Sequence, residues 1–310
     1  MWVCVVRRLV WLPLALLAVS AITFALGRIA PGDPAEIVLG ARARPEAVAR
    51  LRASMGLDRP IVVQYLDYIW NFAHGDLGES YTYRGRSVRT LLGRKMWVSA
   101  QLGIAASIIS VGVGIPLGFF VAHKQGSWQD PTTVATAVVV MSIPVAVTAP
   151  LVLWTFCLKL DIVPHCSGWG GFFDSRMIVP ALVMGVPGIA GFARMMRAST
   201  LEVLGQDFIR TAKAKGLSDF VVDKRHVLRN AMIPIITIFG FLLAGLIGGA
   251  FITETILGIP GVGRLFIESV FSRDYPVIMA GTLIAASAFV VANLIADISY
   301  ALIDPRIRYQ

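Results

Sequence analysis

The chain has 310 residues, 56% of them hydrophobic and 15% charged, with a mean hydropathy of +0.72 and a net charge of +9. A soluble globular domain is about half apolar and a quarter charged, so this balance excludes an ordinary soluble enzyme or binding domain. The surplus is gathered into six runs without Asp, Glu, Lys, Arg or His: residues 9–27, 99–122, 134–158, 177–193, 231–253 and 276–296. Each fits the roughly 17 to 25 residues a helix needs to cross a bilayer core. Helices are the expected form because lipid offers no partner for an open backbone. The roughly ten-residue alternation of a transmembrane β-strand is absent.

Arg7 and Arg8 precede the first run, and Ala25-Leu26-Gly27 resembles a weak signal-peptide cleavage site. The run is longer than the usual ~7–15 apolar residues of a signal peptide, so an uncleaved first helix is expected. Arg28 at its end should snorkel to the surface. Segment 28–98 is the only substantial stretch outside the runs on that side. It carries turn signals, Pro31-Gly32-Asp33-Pro34 and Gly75-Asp76-Leu77-Gly78, and two short helices are expected near 45–55 and 60–72. Pro45 suits a first helical turn, and Val63, Leu66 and Trp70 recur at helical spacing. A small cap on the mouth of the bundle is the expectation. The chain thus divides into 1–98, a first membrane helix plus an extracytoplasmic segment, and 99–310, a core membrane domain.

The core is rich in helix breakers. Gly114 and Gly118 lie four apart on one face and permit close helix approach. Pro144, Pro150, Pro180, Pro187 and Pro234 each remove a backbone donor. Such interruptions suit a bundle that bends to open and close a path.

Between the fourth and fifth runs lies a basic loop at about 194–230, with Arg194, Arg197, Arg210, Lys213, Lys215, Lys224, Arg225 and Arg229. Asp207 is placed to cap a short helix through Phe208, Ile209, Arg210, Thr211, Ala212, Lys213, Ala214 and Lys215, with Phe208 and Ala212 on one face. Gly216 is placed to end it, before Leu217. Ser218 can cap a second helix that carries Val221, Val222, Arg225 and Leu228 to Pro234. A solvated basic loop would explain the charge alone. A capped, alanine-rich helix goes further and makes a smooth ridge for a partner's groove.

Glu254 closes the fifth run; with Pro260 and Gly261 it is a candidate for an outer gate or for contact with substrate or an external partner, and for Glu254 itself capping of the run and the Gly-rich turn is the expectation. Asp297, near the end of the sixth run, should face the interface or pair with Arg306 or Arg308. His74, His123, His165 and His226 fall outside the runs, so no proton relay is expected. Cys4, Cys157 and Cys166 have no metal or redox spacing; Cys157 and Cys166 can meet near the outer face, and packing thiols are the expectation. With the N-terminus in the cytoplasm, Arg7, Arg8, Lys124, the 194–229 loop, Arg306 and Arg308 all face inward. The topology is therefore N-in and C-in, and a positive inner face accounts for the net charge.

The stretch Arg210-Thr211-Ala212-Lys213-Ala214-Lys215-Gly216 resembles the "EAA" loop of ABC importer permeases, with Arg210 where that motif has its Glu. Nearly the whole chain resembles the B-type permease of dipeptide and oligopeptide importers. The likeness runs through Pro31-Gly32-Asp33-Pro34, Gly56-Leu57-Asp58-Arg59-Pro60, Gln64-Tyr65 and Gly75-Asp76-Leu77-Gly78-Glu79-Ser80. It continues through Ala193-Arg194-Met195-Met196-Arg197, the stretch from Glu254 to Gly263, Arg273-Asp274-Tyr275-Pro276 and Asp304-Pro305-Arg306. The resemblance implies an all-α polytopic protein of the type I importer (MetI-like) fold in a bacterial inner membrane. It implies that Asp207–Leu217 form a coupling helix docked on an ATPase subunit. It also implies a second homologous permease chain, two ATPase subunits that bind ATP and Mg²⁺, and an external substrate-binding protein. No metal or cofactor is expected on this chain.

The substrates implied are dipeptides or oligopeptides, with glutathione, nickel chelates or other small solutes as alternatives. No G-x-x-x-x-G-K-[ST] loop is present, so ATP belongs to other subunits. A membrane protease would need H-E-x-x-H or a nucleophile with its base, which the runs lack. A secondary carrier would need charged residues within the runs, which are also missing.

Overall fold

The computed structural model describes residues 2–29, 33–40, 42–162, 167–248 and 250–303. Pro31, Gly32, His165, Cys166 and the tail residues Asp304, Pro305, Arg306 and Arg308 lie outside them, as do the side chains of Cys4, Arg7, Arg8 and Asp297. The described residues are helical, and the one β-bridge among them joins Glu79 to Ser87.

Every charge-free run falls on helix. The first is α1 (Trp2–Ile29) and the second α5 (Val88–Ala122). The third is divided between α6 (Gln129–Ser142), α7 (Val145–Val152) and a π-helical turn, Leu153–Lys159. The fourth is α8 (Ile178–Leu204), the fifth begins in α11 (Leu228–Gly248) and reaches α12 (Phe251–Ile256), and the sixth is α14 (Tyr275–Ile303). The third run was expected as one span and is instead bent by 94° between α6 and α7. Pro144 is the cause. It disfavours helical backbone at the preceding residue, and Ile143 is extended, with ψ 117°.

The 28–98 segment contains the two expected helices, α3 (Pro45–Ser54) and α4 (Ile61–Ala73), and one that was not expected, α2 (Pro34–Leu39). Asp33 caps α2 by accepting from Ala35 N at 2.9 Å, with Pro34 at its first position. Arg52 joins α3 to Asp33 at 3.4 Å and to Asp58 at 3.3 Å. α4 leans on α1: the Tyr65 ring meets Phe24 edge-on, and its hydroxyl lies 2.8 Å from Ser20 Oγ. Burial pushes the neighbouring Tyr68 phenol up to about 12, so it stays neutral. Arg28 folds back over Phe24, 5.3 Å from the ring centre, instead of extending free.

α5 and α8 pack backbone to backbone. A Cβ on Gly118 would stand 2.3 Å from Ala193 O, so only glycine lets the helices come this close. Ser110 Oγ, against the facing Gly188, donates to Gly185 O across the contact at 3.0 Å. Cys157 is disulfide-bonded and so is no free packing thiol; its partner lies outside the described residues.

Candidate functional site

α11 runs about 30 Å from one end of the bundle to the other (21 residues at 1.5 Å each). The segment joining α8 to α11 gathers at one end, and the α12 turn at the other.

At the first end α8 stops at Gly205, and α9 (Asp207–Ala214) follows. Gln206 is its N-cap residue and Asp207 its first helical residue, so the helix starts one position earlier than the expected Asp207 cap would place it. Gly216, at φ +79°, takes the left-handed turn that ends it. Ser218 precedes α10 (Asp219–Val222), which passes through a π-helical turn, Asp223–Val227, into α11. Pro234 therefore sits inside α11 and does not start it.

The anchoring face of α9 differs from the expected one. Ile209 and Ala212 are buried with Met196, Val203, Val222, Val227 and Ala231, whereas Phe208 is half exposed. A face of Ile209 and Ala212 follows the i, i+3 stagger, which pattern reading cannot separate from i, i+4 in so short a helix. Every residue from 213 to 220 is exposed. Leu217 and Phe220 present apolar surface beside Lys213 and Lys215, and Phe220 is 72% exposed. The ion pairs here are solvent-facing, Arg210 with Asp207 at 3.5 Å and Lys213 with Asp219 at 3.1 Å. Such pairs contribute ~0–1 kcal/mol and leave the side chains free to re-pair.

Two contacts brace this elbow. Arg197 on α8 forms a two-pronged pair with Asp130 at the start of α6. His123, after α5, meets Asp223 in the π-helical turn at 3.1 Å. Sequence reasoning missed Asp130, although it is the only carboxylate among residues 80–160 and stands just before an apolar run. It missed Asp223 too, and no local pattern marks that residue.

At the other end Glu254 is fully buried and caps the Gly-rich turn. Its Oε1 accepts from Ser99 Oγ at 2.6 Å and Ala250 N at 3.1 Å, and its Oε2 from Arg264 N at 3.0 Å. Ser99 Oγ in turn accepts from Val262 N at 2.8 Å. A Cβ on Gly261 would overlap this carboxylate at 2.4 Å, so the turn needs glycine there. Ser99 carries no sequence signal of this role. Beyond the turn come α13 (Val262–Ser272) and a second buried carboxylate, Asp274. Asp274 accepts from Ser80 Oγ, from Tyr81 N at 3.1 Å and from Thr82 N at 3.2 Å, fastening the 75–87 segment to the start of α14. Tyr83 donates to Glu268 Oε2 at 3.3 Å. Burial first, and the Glu268 carboxylate second, raise the Tyr83 phenol above its ordinary range and keep it a donor.

Residues 114–309 match the family of "Binding-protein-dependent transport system inner membrane component", and residues 1–95 match the N-terminal family of the same systems. The chain is 37% identical to the dipeptide transport system permease protein DppB of Escherichia coli (strain K12), over 99% of this chain and 98% of that one. It is 35% identical to a "Probable peptide ABC transporter permease protein" of Sinorhizobium fredii (strain NBRC 101917 / NGR234), across the full length of both. A solved structure of the MetNI methionine ABC transporter, in an inward-facing conformation, superposes with a TM-score of 0.54 at 15% identity. It covers 69% of this chain and 96% of that one, and so shares the MetI-like fold.

Proposed function

Because the chain belongs to the family of binding-protein-dependent transport system inner membrane components, we propose that it forms half of the path by which an ATP-driven importer carries dipeptides or oligopeptides across a bacterial inner membrane. A second, homologous permease chain supplies the other half, and an external binding protein delivers the substrate. Two ATPase subunits bind ATP and Mg²⁺ and do the hydrolysis. The α9 end is cytoplasmic and the α12 end faces outward, so the part-exposed Pro260 stands where a gate or the binding protein can reach it, on a turn that the buried Gly261 and Glu254 support from within.

The observation that carries this reading is the exposed stretch 213–220 on a base packed into the core. A short helix whose apolar face is already used internally, followed by Leu217 and, on α10, Phe220 beside exposed lysines, suits a groove on a partner. Ile209, Ala212, Val222 and Val227 join α9 to α8 and α11, so a push on α9 moves the helices it is packed against. The bend at Pro144 gives the bundle a place to yield, and alternating access follows from such movements.

The test is to purify the tagged chain from its native membrane and measure ATP hydrolysis with and without a peptide mixture and the binding protein. Peptide-stimulated hydrolysis that Gly216→Pro abolishes is the expected result, since proline cannot adopt the φ of +79° at that position. A preparation with no associated ATPase overturns the proposal.

A further inference from the structure

The far end of α5 carries a basic cavity for which the transport reading has no use. It has a volume of about 500 Å³ and is lined by Arg86, Ser87, Thr90, Arg94 and Lys95. Thr90 and Arg94 lie one turn apart on α5 with Lys95 flanking them, and Ser87, the N-cap, and Arg86 join them from the preceding turn. Residues 80–129 contain no carboxylate. Among the described residues, none of the three basic side chains makes an ion pair, whereas Arg197 and His123 at the opposite end both have acids. Glu79 is bridged to Ser87 through the backbone and does not line the cavity.

The distance of the cavity from the charge-free run points to what it holds. The charge-free run of α5 starts at residue 99, so Arg94 and Lys95 stand four to five residues above it, roughly 6–8 Å at 1.5 Å per residue. That is the thickness of one headgroup layer, from a core of about 30 Å and a whole bilayer of about 40–45 Å. Trp97 is 64% exposed between them, where aromatic side chains mark the membrane–water boundary. It lies seven residues after Thr90, hence on the same face two turns deeper. We propose that this cavity is a binding site for the phosphate of an anionic phospholipid, with Arg86, Arg94 and Lys95 as cationic partners and the Ser87 and Thr90 hydroxyls as donors. Guanidinium forks match phosphate oxygens in pairs, and a lysine adds a compact charge. Three unopposed cations select a net-negative headgroup over a zwitterionic one. The acyl chains then run down α5 past Trp97. The membrane orientation proposed above sets only the leaflet, the outer one, and the binding itself does not depend on it.

The experiment is native mass spectrometry of the full chain released from mixed micelles holding equal parts of phosphatidylglycerol and phosphatidylcholine. The wild type should retain phosphatidylglycerol selectively. Arg86→Gln/Arg94→Gln/Lys95→Gln should bind it on the order of 100-fold more weakly, from the combined effect of three basic residues near the surface. Arg42→Gln/Arg44→Gln/Arg50→Gln removes the same charge from exposed sites elsewhere and should retain it as the wild type does. Should the first variant fold poorly, thermal stabilisation of the wild type by added phosphatidylglycerol, and not by phosphatidylcholine, reports the same site. Equal retention of the two lipids, or full retention by the Arg86/Arg94/Lys95 variant, overturns the proposal. Displacement of the lipid by inorganic phosphate would assign the cavity to a soluble anion. Unchanged lipid with lost capture of the binding protein would assign it to a protein partner. None of these outcomes depends on whether an ATPase co-purifies.

Discussion

The two ends of the bundle treat polar groups in opposite ways. At the α12 end, Glu254 and Asp274 are wholly buried, and their oxygens take backbone and hydroxyl donors from segments far apart in the chain. At the α9 end the acids and bases on the ridge itself are exposed and its seat is apolar, through Ile209, Ala212, Val222 and Val227, while the buried Asp130 braces it from α6 through Arg197. A buried carboxylate with several directed donors fixes one geometry, because any shift leaves a donor without a partner in low dielectric. An apolar base with a wet polar face fixes its seat and leaves its surface free for another molecule. The contrast teaches that one end is built as a fixed frame and the other as an exposed ridge on an apolar seat, the surface that the proposed function assigns to docking.

This contrast can be broken most directly at Glu254. Glu254→Ala should cost about 3–5 kcal/mol, since it leaves Ser99 Oγ, Ala250 N and Arg264 N buried without an acceptor. The check is thermal unfolding in detergent, and a variant as stable as the wild type would mean that the turn is no frame. Next in size is the contact that links the two ends. Gly118→Leu must separate α5 from α8, at a cost of about 1–3 kcal/mol or more, read as a lower unfolding temperature. Asp130→Asn should cost about 1–2 kcal/mol by loosening the Arg197 brace, with increased proteolysis between residues 194 and 230 as its readout. The smallest effect sharpens the comparison. Phe220→Ala should change stability by less than about 0.5 kcal/mol, because the side chain is 72% exposed. It should nevertheless weaken capture of the ATPase subunits in a pull-down. A large loss of stability there would make Phe220 part of the core and the ridge a poor description.

Much of this was legible in residue order. The six charge-free runs all lie on helix, and the short helices after Pro45 and Pro60 are present within one or two residues of their expected bounds. Gly216 ends α9, and Gly118 gives the close approach to α8. These readings depend on periodicity, chain length and backbone freedom, which are local properties. The bend at Ile143-Pro144 was legible as a breaker but not as a 94° turn, because a proline fixes its own φ and leaves the angle to packing.

By itself, then, the sequence determined a helical membrane protein, the positions of its helices, the basic loop with a short helix ended at Gly216, and the family resemblance that the relatives bear out. Only the tertiary structure decided that Ile209, and not Phe208, seats α9. It alone joined Ser99 to Glu254 across 155 residues and Ser80 to Asp274 across 194. It alone left Arg86, Arg94 and Lys95 around a cavity without an acid. The reason is physical: hydropathy and helix signals act over a few turns of one segment, whereas a buried polar group takes its partner from whichever segment the packing brings within 3 Å.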